Sequence, residues 1–142
     1  MADAVTTQTI FDGDKKVIQK FTNISDGTGE SEVKKVDVSA LTTNGHGQTC
    51  TSVTIEKIWW QCVGMKTRLF FDATSNAFII ELGENQSGYH DYSSFGGLKN
   101  NAGSGVTGDI LFTTVGHSSA DTYTITLEMR KNYDLDKGQA TA

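Results

Sequence analysis

The stretch TYTITLEMRK, residues 122–131, decides the fold class. Tyr123, Ile125, Leu127 and Met129 alternate with Thr124, Thr126, Glu128 and Arg130. Successive side chains of a strand point to opposite faces, so this alternation gives one apolar face and one wet face. A half-buried strand needs a second layer over its apolar side.

Other segments repeat the theme. VKKVDVSAL (33–41) alternates more weakly, with Val36, Val38 and Ala40 on one side. SVTIEKIWWQCV (52–63) is β-branched and aromatic; Ile58, Trp60 and Cys62 share a face, and Trp59 points the other way. MKTRLFFDA and AFIIELG, joined by the polar TSN, read as a hairpin, and DILFTTV (109–115) as a further strand. TQTIF and KKVIQKFTNIS flank the Asp-Gly of FDGD, a second hairpin signal. No stretch of eleven or more residues sustains apolar positions at i, i+3, i+4 and i+7. The expectation is one all-β domain, a jelly-roll-like antiparallel β-sandwich of about seven to nine strands. It covers residues 1–133, including an N-terminal arm, and leaves 134–142 as a flexible polar tail.

Composition bounds the partners. The chain has 142 residues, 17 acidic against 12 basic, for a net charge of -5. That balance argues against nucleic acid or an anionic membrane surface, and no run of 18 apolar residues offers a membrane span. MADAVTTQTIFDGDKK lacks a basic segment followed by an apolar one, so no signal peptide is read and cytoplasmic synthesis is expected. There are 15 glycines and no proline. Turns then fall to Gly, Asn and Asp, and edge strands lack one common protection against pairing with another chain. Cys50 and Cys62 bracket one strand; twelve residues at ~3.3 Å place them roughly 40 Å apart. A disulfide needs about 7 Å or less, so two free buried thiols are expected.

Three motif-like stretches fail on context. Gly103 to Gly108 in NNAGSGVTGD spells G-x-G-x-x-G, but the dinucleotide loop opens a helix and this one leads into DILFTTV. GHSSA (116–120) approximates a nucleophile elbow, yet a strand follows it and no later histidine exists. His46, His90, His117 and Cys50 show no zinc-ligand spacing. Asp134-Leu-Asp136-Lys-Gly138 has no closing glutamate for calcium. The reading is therefore of a non-enzyme, with no catalytic, metal or cofactor residues.

Two loops stand out. TTNGHGQT (42–49) is tight, whereas 85–108 is long for a compact domain, and such loops are usually functional or disordered. Tyr89, Tyr92, Phe95 and Leu98 are expected to anchor it, partly as a short strand. The adjacent Trp59 and Trp60 raise a sugar-stacking reading beside one of subunit contact.

The order of segments carries a resemblance. GESEVKKVDVSAL (29–41), VTIEKIWWQCVGMKTRLFFDATSN (53–76) and SSFGGLKNNAGSGVTGDILFTTVGHSSADTYTITLEMRK (93–131) resemble small virion structural proteins of tailed phages infecting marine bacteria, cyanobacteria included. The likeness covers about residues 5–133. It implies an accessory part of the particle, foremost a capsid decoration (cement) protein on the outer shell. The implied partners are major capsid protein subunits and further copies of the chain, with a trimer favoured. Candidate contacts are Val5, Ile10 and Phe11 in the arm, Trp60, and Tyr92, Phe95 and Leu98 in the long loop. A neck, tail or baseplate part, or a sugar-binding attachment module, are the alternatives.

Overall fold

The computed structural model describes residues 4–100, 105 and 107–133. The expected tail at 134–142, the Asp134–Gly138 segment within it, and Gly103, Ser104 and Val106 of the glycine motif lie outside the described residues. Among the described residues nine strands run in chain order: β1 (Ala4–Asp12), β2 (Lys16–Ile24), β3 (Val33–Val36), β4 (Cys50–Val63), β5 (Lys66–Phe71), β6 (Ala77–Leu82), β7 (Gln86–Asp91), β8 (Ile110–Val115) and β9 (Thr122–Tyr133). They pair antiparallel in two sheets, ordered β1-β2-β9-β4-β7 and β3-β8-β5-β6. The two sheets pack face to face, so the fold is an all-β sandwich.

The period-two face of β9 explains the core. Tyr123, Ile125, Leu127 and Met129 are buried, next to Val17 and Phe21 of β2 and Ile55, Ile58 and Cys62 of β4. Leu69, Phe71, Leu82, Ile110 and Phe112 fill the same core from the second sheet. Phe112 meets Phe21 and Tyr123 edge-on, with centroids 5.2 and 5.8 Å away. Each such side chain contributes about 1.5–3 kcal/mol through removal from water. Cys50 and Cys62 are free and buried, as expected, and burial pushes both thiols up.

The same parity continues one residue further than the apolar run, to Lys131. Its side chain is 0% exposed. The ammonium donates to Asp12 Oδ1 at 2.6 Å, Gly13 O at 2.9 Å, and Thr42 O and Oγ1 at 2.8 and 3.1 Å. A buried charge is tolerable only with partners of this kind. The cluster ties the β1–β2 turn to β9 and to the loop after the first 3₁₀ turn.

Several sequence expectations need correction. In VKKVDVSAL the strand stops at Val36; Asp37 caps a 3₁₀ turn over Val38–Ala40, with its carboxylate accepting from Ser39 N at 3.0 Å. Val38 is buried, but Ala40 points to solvent. The hairpin expected around the Asp-Gly turn is present: Val5–Phe11 is most of β1, in register with β2 from Ala4↔Ile24 to Asp12↔Val17. As expected, part of the long loop is a short strand, β7, which pairs with β4 at the sheet edge. Of its four expected anchors, Tyr92 and Leu98 pack on the core, whereas Tyr89 and Phe95 are exposed.

β1 lies at one edge of the five-stranded sheet, and residues 4–11 are exposed on both faces. The second sheet has four strands. The fifth strand of the larger sheet therefore overhangs.

Candidate functional site

The nominated contact residues fall at the two opposite edges of the five-stranded sheet. Val5, Ile10 and Phe11 belong to β1 at one edge; Trp60, Tyr92, Phe95 and Leu98 belong to β4 and the chain after β7 at the other.

At the β1 edge, Val5, Ile10 and Phe11 are all exposed, and so is Ile24 on the neighbouring strand. The pairing shifts by one residue between Thr9 and Phe11, a bulge at Ile10. No charged residue occurs from Ala4 to Phe11. Gln19 Nε2 donates to Thr9 Oγ1 at 3.2 Å; the buried Gln19 Oε1 has no partner among the described residues.

At the opposite edge, rings stack in a row along the inner side of β7. Trp60 pairs with Gly88, and its indole lies over that glycine; a Cβ there would sit 3.1 Å from indole atoms. The absent side chain is what lets the ring lie flat on the edge strand. Trp60 then stacks on His90 at 6.4 Å, His90 on Tyr92 at 5.9 Å, and Tyr92 meets Phe95 at 6.0 Å. Tyr92 N–H donates to Glu56 O at 2.7 Å, and Leu98 exchanges two backbone bonds with Ile55, at 2.9 and 2.8 Å. The chain beyond β7 thus turns through the Ser93–Phe95 3₁₀ turn and docks back on β4. Burial pushes the Tyr92 phenol up, so it stays neutral. Phe95 ends the row at 66% exposed.

The outward aromatic on β4 is Trp59. It stands 39% exposed and stacks on Tyr89 at 5.2 Å, with 25° between the rings. Trp60, a candidate contact residue from sequence, is half-buried against the core. The phase was legible: Trp60 shares parity with Ile58 and Cys62, which are fully buried. Two residues beyond Trp59 opens a cleft of about 220 Å³ lined by Gln61, Cys62, Val63, Asn85, Gln86 and Ser87. Gln61, Gln86 and Ser87 bring uncharged amide and hydroxyl groups to it. Sequence reasoning missed Tyr89 as part of this surface, because its cross-strand partner is 30 residues away in the chain.

The remaining motif residues are engaged locally. His117 Nδ1 lies 3.2 Å from Thr114 Oγ1, and Ser118 donates to Asp121 Oδ2 from its N–H at 2.8 Å and its hydroxyl at 3.0 Å. These bonds close a turn between β8 and β9. His46 lines a separate cleft of about 340 Å³ with Asp14, Lys15, Asn44, Gly45 and Tyr133. His90 belongs to the aromatic row. Among the described residues no group of three His, Cys, Asp or Glu side chains converges as metal ligands would.

No protein family, curated protein or solved structure matches this chain.

Proposed function

We propose that this chain is a virion structural protein of a tailed phage, specifically a capsid decoration (cement) protein on the outer shell that bridges major capsid protein subunits. The observation that carries the reading is the placement of apolar contact residues at opposite edges of one sheet. Four inter-strand spacings separate β1 from β7, roughly 19 Å. A rigid plate with exposed apolar side chains near two opposite edges holds two neighbours, a capsid subunit or a further copy of the chain, at a fixed distance. The neighbours then part only if one of these added contacts breaks along with their own, which raises the barrier to rupture. Each contact needs on the order of 1,000 Å² to be stable.

Architecture and resemblance support the same reading. We read β2-β9-β4-β7 over β3-β8-β5-β6 as jelly-roll winding, with β1 an addition outside the eight-strand roll. Jelly rolls build viral capsid domains and lectins. The quoted segments add the likeness to phage particle proteins.

The test is reassembly. Purified protein re-binds to phage heads stripped of it and raises their disruption temperature; failure to bind overturns the proposal. Phe95→Asp weakens that binding by about tenfold or more, as loss of an aromatic anchor does. It leaves the melting temperature of the free protein unchanged, because the ring is solvent-exposed. Binding to isolated tails or baseplates instead of heads assigns the protein to that part of the particle.

The outward Trp59–Tyr89 pair beside an amide-lined cleft favours one second reading, a saccharide-binding attachment module. Aromatic faces take the apolar side of a sugar ring, and neutral amides take its hydroxyls. That reading expects glycan binding, abolished by Trp59→Ala or Tyr89→Ala. Trp60→Ala instead destabilises the fold. A glycan screen with no binder removes this reading and leaves the decoration role intact.

A further inference from the structure

We propose that β1 is the site of self-association: two copies join by antiparallel pairing of their β1 edges about a two-fold axis at Thr7, merging their five-stranded sheets into one of ten. This holds for the chain in solution whatever particle it belongs to.

The argument starts from unpaired backbone. Among the described residues β1 bonds only to β2, and no described strand pairs with its other side, which presents N–H and C=O groups outward. Natural edges of this length are normally guarded by charge, proline or strong distortion. Here none of the residues from Ala4 to Phe11 is charged, proline is absent, and the bulge lies at the far end of the strand. The other three edges are guarded. β3 carries Lys34 and Lys35, β6 carries Glu81, and β7 carries His90 and Asp91 and is continued by the docked Leu98. A partner for β1 must be an extended strand free of like charge, and a second β1 meets both requirements.

Symmetry then selects the register. A two-fold axis perpendicular to a sheet keeps each face on its own side. Paired residues must therefore share a face, and their numbers must sum to an even value. Centring on Thr7 pairs Thr7 with itself, Thr6 with Gln8, Val5 with Thr9 and Ala4 with Ile10. The ladder runs seven residues and stops at the bulge. It also gathers apolar surface. Ile24 pairs with Ala4 within one copy, so Ala4 and Ile24 come beside Ile10 and Phe11 of the other copy. Val5, Ile10, Phe11 and Ile24, each between 47% and 57% exposed, are four of the ten large apolar side chains left in solvent among the described residues. A contact at this one edge accounts for all four, twice over. A three-fold ring would need β1 to meet a different edge, and each of those carries charge.

Light scattering coupled to size exclusion at about 50 µM gives the mass of a dimer; the mass of a monomer or a trimer overturns the proposal. Thr7→Lys places two ammonium groups directly opposite one another across the axis. Like-charge juxtaposition of this kind costs several kcal/mol, so the dimer dissociates about a hundredfold more readily. Thr7 is exposed, so the melting curve of the resulting monomer stays that of a folded domain. A dimer unchanged by Thr7→Lys overturns the assignment to this edge. Register is read separately: Thr7→Cys forms an intermolecular disulfide on mild oxidation and Gln8→Cys does not, while native Cys50 and Cys62 are buried. Equal cross-linking at both positions overturns the Thr7 axis.

Discussion

Replacing Asp12 by alanine destabilises the domain by about 3 kcal/mol, the lower end of the range for removing one partner of a buried ion pair. In a domain of this size that lowers the melting temperature by on the order of 10 °C. The cause is what remains. Lys131 sits at 0% exposure with its ammonium 2.6 Å from Asp12 Oδ1. Without the carboxylate it keeps two carbonyls and a hydroxyl, which hydrogen-bond it but do not neutralise it. Asp12 also accepts Thr42 N–H at 2.9 Å, so the loop after the 3₁₀ turn loosens as well. Adding Lys131→Met to Asp12→Ala removes the unpaired charge and recovers part of the loss. A melting temperature within about 2 °C of wild type for Asp12→Ala would refute this account.

The pair also sets a pH window. Burial alone would raise Asp12, but hydrogen bonds from Lys131 and Thr42 and the lysine's charge outweigh it, and the carboxyl falls below its ordinary 3.8. For Lys131 burial acts downward, and the bond to Asp12 with its charge outweighs it, lifting the ammonium above its ordinary 10.5. A carboxyl with a depressed folded value stabilises above its unfolded value and loses that contribution as pH falls through the folded one. A raised lysine stabilises below its unfolded value and loses the contribution as pH rises through the folded one. The stability gap between wild type and Asp12→Ala is therefore flat between these limits. It narrows below pH 3.8 and above pH 10.5.

The sandwich was legible because its central strands obey a period of two. In β9 and β5 the buried apolar residues alternate, and in β9 the parity runs on to Lys131; β4 changes phase at its bulge between Ile55 and Lys57, with Val53 and Ile55 buried before it and Ile58 and Cys62 after it. Burial of Lys131 is not legible, because its charge argues for solvent while its phase argues for the core. The bounds of β7 are hidden for another reason. As an edge strand exposed along most of its length, it has no apolar alternation to read, and at Gly88 it needs no side chain because Trp60 supplies one from β4. β1 is equally featureless in hydropathy and became visible only through the Asp-Gly turn beside it. The candidate contacts were partly legible. Phe95, Val5, Ile10 and Phe11 are exposed, whereas the Trp59–Tyr89 pair depends on cross-strand register, which no local pattern encodes.

The glycine-rich stretch has a structural role with a measurable consequence. Gly108 has φ +89°, and a Cβ there would overlap the carbonyl oxygen of Thr51, with Thr51 C at 2.8 Å and Ser52 Cα at 3.0 Å. All three are backbone atoms of β4 and cannot rotate away. The turn at Gly108 aims Asp109 inward, where its carboxylate accepts Val38 N–H at 2.9 Å and pairs with Lys34 at 3.1 Å. Its carbonyl accepts Asp72 N–H at 3.0 Å. Gly108→Ala therefore carries two costs. The left-handed backbone costs an alanine about 1–2 kcal/mol, and forcing the first strand of contacts apart adds about 1–3 kcal/mol, as overpacking does. Together they come to about 4 kcal/mol, or a melting temperature lower by on the order of 10 °C. Gly116 separates the two terms, since its φ is +71° but no atom lies within 4 Å of where a Cβ would stand. Gly116→Ala shows the conformational cost alone, a fall of a few degrees. Equal losses at the two positions would mean that the close approach of Gly108 to β4 contributes nothing, and that glycine is there for backbone angle only. A larger loss at Gly108 makes this glycine the point where the chain passes hard against β4 to start β8.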